Sequence, residues 1–96
     1  MRVDIRPQAR DEIDDAAAWY ERERPGLGVH FVQAVISACS SIADQPSAYP
    51  QIRRGARRFV MKQFPYLIVY RQERDAIVVY GCIHSHRDPK HWQRRL

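Results

Sequence analysis

Two nearly continuous apolar runs, residues 66–70 and 76–83, constrain the fold of this chain more than any other feature. Both are rich in β-branched and aromatic residues, which predicts central strands covered at least partly on both faces. The polar residues Gln72, Glu73, Arg74 and Asp75 between them make the pair a hairpin. A third strand is predicted over residues 56–62, with Arg57, Phe59 and Met61 on one parity and Arg58, Val60 and Lys62 on the other. Val3 and Ile5 alternate with charged neighbours and predict a short first strand.

The cover must come from the segment between. Pro7 suits the first helical turn, and Ala9, Ile13, Ala16, Ala17 and Tyr20 follow at helical spacing. Asp11 and Glu12 near the start, with Arg22 and Arg24 near the end, complement the helix dipole. Asp14, Asp15, Glu21 and Glu23 read as its solvated side. The turn cluster Pro25-Gly26-Leu27-Gly28 stops this helix. A second helix is predicted over residues 29–44, with Phe31, Val35, Ala38, Cys39 and Ile42 as its stripe and Val32 and Ile36 widening it. Pro46 ends it by pushing Gln45 out of helical geometry. So short a connection makes the helices an antiparallel hairpin. Pro89 opens a last helical turn through Arg95. The order β-α-α-β-β-β predicts an α+β domain, residues 1–96, with the helical hairpin on one face of a mostly antiparallel sheet.

Ninety-six residues supply one core and no second domain. No apolar run approaches the ~20 residues of a bilayer span, and the first residues lack the apolar stretch of a signal peptide. Cys39 and Cys82 make no metal or redox spacing and are expected to stay reduced in a cytoplasmic protein. The formal charge of +5 is unevenly placed. Residues 1–48 carry five basic and eight acidic side chains, and residues 49–96 carry eleven and three. The positive half suits a polyanionic target or an acidic partner, or simply forms a solvated surface.

Within that half, Arg53, Arg54, Arg57, Arg58 and Lys62 fall within ten positions. Guanidinium forks suit phosphates and carboxylates; a charged edge strand protected from aggregation is the other reading. Cys82, His84 and His86, with His91 or Asp88, have a spacing that zinc can use, against a core cysteine followed by exposed histidines. His84 with Arg87 has the chemistry of a metal-free ribonuclease, a base beside a phosphate-stabilising cation. The competing role for His84 is a hydrogen bond that holds the tail. No Gly-rich phosphate loop, Ser–His–Asp signature or paired-carboxylate motif is present, so neither a cofactor nor a metal is expected.

The stretch Phe64-Pro65-Tyr66-Leu67-Ile68-Val69-Tyr70 and the tail His84-Ser85-His86-Arg87-Asp88-Pro89-Lys90-His91-Trp92 resemble the ParE branch of the RelE/ParE toxins. These are the toxin halves of bacterial type II toxin–antitoxin modules. The Ala9 and Ile13 helix, the Trp19-Tyr20 pair, Phe31 and the double arginine Arg57-Arg58 are also similar to the family pattern, so the resemblance covers essentially the whole chain.

The resemblance implies the same α+β fold, a neutralising antitoxin partner, and a role in growth arrest and plasmid stabilisation. It also implies a choice of target. RelE-like members are ribosome-dependent mRNA endoribonucleases, often with an arginine after the first tyrosine of the Y-x-x-x-Y strand and a tyrosine near the C-terminus. Those positions correspond to Leu67 and Trp92 in this sequence, and neither side chain can do that chemistry. ParE-like members inhibit DNA gyrase without catalytic activity of their own, and the departures favour this branch. Arg57, Arg58, Arg71, Arg87 and Trp92 are then the expected target contacts. The ribonuclease alternative uses His84, Arg57, Arg71 and Arg87. A further alternative is a non-toxic binding module that acts with its antitoxin in autoregulation.

Overall fold

The computed structural model describes all residues 1–96. Its elements are β1 (Arg2–Ile5), α1 (Pro7–Glu23), α2 (Leu27–Asp44), β2 (Arg57–Val60), β3 (Tyr66–Glu73), β4 (Ala76–His84) and α3 (Lys90–Gln93). The four strands form one sheet in the order β1-β4-β3-β2. The β2–β3 and β3–β4 pairs are antiparallel, while β1 lies parallel to β4. The parallel pairing follows from the connection: a helical hairpin separates β1 from the other strands and carries the chain across the sheet.

The sheet is covered on both faces, as its apolar runs require. On one face, Ile13, Phe31, Val35 and Ile42 of the helices meet Ile68, Tyr70, Ile77 and Val79 in the main core. On the other, Leu67, Val69 and Ile83 pack with Ala56 and Trp92 in a smaller cluster. A register shift between Val69 and Tyr70, against Gly81 and Val79, makes a bulge around Tyr80. The extra residue flips the parity of β4. Ile77 and Val79 face the helices before it, and Cys82 does so after it.

The helices begin and end for local reasons. Pro7 sits in the first turn of α1. Gly26, with φ of 89°, makes the left-handed turn into α2, which therefore starts at Leu27, earlier than the expected 29. Gly28 lies so close to α1 that a Cβ would fall 2.6 Å from the Ala17 carbonyl oxygen. Glu21, expected on a solvated face, accepts hydrogen bonds from the Gly26 and Gly28 N–H groups at 3.0 Å, capping the exposed donors of α2. No acidic residue lies in the first turn of α1, so the expected dipole role of Asp11 and Glu12 is not realised there; Arg22 does lie in the last turn.

Val32 and Ile36 do not widen the buried stripe of α2: they are 37% and 62% exposed. At about 100° per residue they point roughly 100–140° away from Phe31, beyond the reach of both α1 and the sheet. With its mean hydropathy of 1.3, α2 is apolar and long enough to cross a membrane by those measures alone. In this fold its Phe31, Val35, Ala38 and Ile42 are core residues.

Candidate functional site

Strand register divides the four expected site residues that lie on strands between the two faces, because directly paired residues project to the same side. Arg57 is opposite Tyr70, and His84 is opposite Tyr66, on the helix-covered face. Arg58 is opposite Val69, and Arg71 opposite Val78, on the far face. Trp92 belongs to the far-face cluster. Arg87 is exposed in the turn after β4 and acts electrostatically on Tyr66. Arg57 and His84 share a face but lie two strands and four residues apart, about 10 Å across and about 13 Å along the sheet.

The end of β4 carries an aromatic chain. The Tyr66 ring lies 5.3 Å from His84, and His84 lies 5.2 Å from His86. The His86 N–H donates to His84 Nδ1 at 3.2 Å. That bond occupies the Nδ1 lone pair and puts the proton of the neutral ring on Nε2.

Burial raises the Tyr66 phenol above its ordinary value, with Tyr20 and Cys82 adding to the shift and Arg87 opposing it. Burial, then the Glu12 carboxylate and Cys39, push the Cys82 thiol up to about 12. Cys82 is therefore a protonated core thiol. No three His, Cys, Asp or Glu side chains come together to hold a metal, so the zinc spacing read from Cys82, His84 and His86 is not realised.

On the far face, Arg71 donates from Nε to the Arg54 carbonyl oxygen at 2.9 Å and from Nη2 to a Leu96 main-chain oxygen at 2.8 Å. Its guanidinium also lies 5.1 Å from the Tyr80 ring centre. Arg71 is thereby committed to fastening the 53–56 turn and the tail to β3. Trp92 is only 6% exposed, which corrects its expected role as a target contact. Its indole is the apolar anchor of α3. Arg57 is half-buried and donates to the Tyr49 carbonyl oxygen at 2.7 Å. Of the expected arginines, Arg58 and Arg87 remain exposed.

Two features escaped the sequence reading. First, Glu12 accepts from Arg95 at 2.8 Å and from the Cys82 N–H at 3.1 Å, beyond the point where β1 stops pairing with β4. This ion pair joins residues far apart in sequence, so spacing gives no sign of it. Second, a groove of about 880 Å³ runs between α2 and the edge strand β2. Gln33, Ala34 and Ser37 line one wall, and Phe59, Met61 and Lys62 the other. The outer edge of β2 carries one bridge, from Gln51 to Arg57. The signal for this groove lay in the small residues Ala34, Ser37, Ala38 and Ser41, which recur along one side of α2.

A family model described as the ParE toxin of the type II toxin–antitoxin system parDE matches residues 3–89. The chain belongs to the ParE toxin family. A relative from Sinorhizobium fredii, named "Putative toxin Y4kP", is 27% identical over 81 residues, covering 83% of each chain. A solved structure described as the chromosomal ParDE TA system from P. aeruginosa aligns with a TM-score of 0.75 at 17% identity. That alignment covers 88% of this chain and 95% of the solved one, and shows that the two share the α+β fold. The ParE match takes in α1, α2 and β2 to β4 and stops before α3. In this ParE-family chain, Leu67 and Trp92 are 9% and 6% exposed in the same apolar cluster.

Proposed function

We propose that this ParE-family toxin acts on DNA gyrase and that a cognate antitoxin neutralises it. The carrying observation is the packing of Leu67 and Trp92. Where a RelE-like ribonuclease is described as placing a cation and a proton-exchanging phenol, this chain has a buried apolar cluster that anchors α3. The ribonuclease alternative is further weakened by the dispersal of its parts. Arg71 is on the far face with two of its N–H donors engaged, and Arg57 is remote from His84. Arg58 and Arg87 are the remaining charged candidates for the gyrase contact.

The solved neighbour is described as a ParDE toxin–antitoxin system, which supports an antitoxin partner for this chain. The groove between α2 and β2 is its proposed seat. An extended segment can use the outer edge of β2, and an amphipathic helix can use the mixed walls of the groove. Lys62 and Arg58 at the rim suit an acidic segment that orders on binding. The proposed compartment is the cytoplasm, where a gyrase inhibitor meets its target.

Inducing the chain alone in bacteria separates the targets. The gyrase reading predicts growth arrest with DNA-damage signalling ahead of any fall in protein synthesis. Translational arrest first, with mRNA cuts lost in His84→Ala, would favour the ribonuclease. Absence of growth arrest would favour a non-toxic autoregulatory module.

A further inference from the structure

A second concavity, of about 370 Å³, lies between the 53–56 turn and α3. Arg53, Arg54, Lys90, Gln93 and Arg94 line it, and none of the five is hydrophobic. Its cations come from two segments that meet only in the folded chain. The turn is fixed by left-handed conformations at Arg54 and Gly55, with φ of 52° and 78°. It is also held by the Ala56 N–H donating to the Arg53 carbonyl oxygen at 2.9 Å, and by the bond from Arg71 to Arg54. Buried Trp92 packs with Ala56 and fixes the other wall. The cations thus project from rigid supports.

No ion pair engages them. The three ion pairs of the molecule, Arg2–Asp4, Arg10–Asp14 and Glu12–Arg95, involve none of the four. Asp88, which precedes α3, accepts from the Lys90 backbone N–H through Oδ1 and forms no ion pair with them. Four like charges around one hollow repel one another, and an anion entering it relieves that repulsion. Three of them are guanidinium forks, suited to paired oxygens of a phosphate. The lining also discriminates between polyanions. A polypeptide interface has an apolar, often aromatic centre, whereas a nucleic-acid interface is more polar and strongly positive.

We propose that this pocket binds phosphate groups of a nucleic-acid backbone, without reading sequence. The proposal does not rest on gyrase being the target, and two of its cations, Lys90 and Arg94, lie outside the segment that matches the ParE family.

The test is fluorescence anisotropy of an end-labelled 20-bp DNA duplex titrated with the full chain between about 50 and 200 mM salt. Wild-type binding should weaken with a log–log slope of about −2 to −4, the signature of a few neutralised phosphates. Arg53→Gln with Arg94→Gln should weaken binding at least about tenfold at the lower salt, and Arg22→Gln with Arg24→Gln less than about twofold. Lys90→Gln alone should give an intermediate loss, which keeps the test decisive if the double variant melts early. Failure of the wild type to bind duplex, or equal losses in both double variants, would overturn the proposal. So would a polyglutamate peptide that outcompetes the duplex at equal charge, because it would hand the pocket to an acidic polypeptide.

Discussion

The groove beside α2 and the pocket beside α3 differ in what lines them and in what lies at their rims. The groove joins an apolar floor, including Ala38, Phe59 and Met61, to a strand edge that still has main-chain groups to offer. The pocket has charge and no apolar floor. Hydrophobic burial is the larger source of affinity for a polypeptide, while charge neutralisation dominates for a phosphate backbone. On the proposed assignments, one small domain separates an acidic antitoxin segment from a phosphate backbone, although both are negative. Net charge alone could not have distinguished them.

The comparison fails most severely if the support of the pocket wall is removed. Trp92→Ala should cost about 3–5 kcal/mol by urea unfolding, because a large buried side chain leaves a cavity. It should also loosen α3 and weaken DNA binding. Trp92→Phe should recover most of both; a Trp92→Ala protein of undiminished stability would show that the tail is not anchored as described. Arg95→Ala leaves the half-buried Glu12 carboxylate without its cation and should cost about 2 kcal/mol. Glu12→Gln in the same chain should restore part of that loss, a coupling readable in a double-mutant cycle.

Ser37→Arg puts bulk and charge into the groove. It should weaken antitoxin capture about tenfold, or about 1.4 kcal/mol, with toxicity and DNA binding unchanged. Equal losses in all three would mean that the two concavities are one functional surface. The smallest effect is a pH dependence. Folding favours the protonated Cys82 thiol, whose ordinary value near 9 is pushed up to about 12. Its contribution is complete below about 9 and is lost as pH rises towards 12, with a slope of at most about 1.4 kcal/mol per unit. Cys82→Ala should flatten that slope in unfolding measured at pH 8, 9 and 10.

Periodicity carried most of the architecture. Phe31, Val35, Ala38 and Ile42 lie on the expected buried face, and both apolar runs are the expected central strands. What periodicity missed has identifiable causes. The bulge at Tyr80 shifts the alternation of β4, and its one sequence sign is Gly81 inside the apolar run. Val32 and Ile36 are apolar yet exposed, because burial depends on where α1 stops covering α2. Glu21 was read as a solvated charge and Glu12 as a complement to the helix dipole, but each reaches partners supplied by another element. The candidate sites were less legible. The basic cluster around Arg53 was visible in one dimension, whereas its partners Lys90 and Arg94 join it only through the packing of Trp92. Trp92 itself was read as a surface contact because its tail is otherwise polar.

The central claim, a ParE-family toxin directed at gyrase and not at mRNA, is tested most directly with purified components. Folded, toxic protein added to gyrase and relaxed plasmid should inhibit supercoiling and accumulate cleaved, protein-linked DNA, and prior addition of the antitoxin should abolish both. Unimpaired supercoiling by the same preparation, together with mRNA cleavage in a translating extract, would contradict the account.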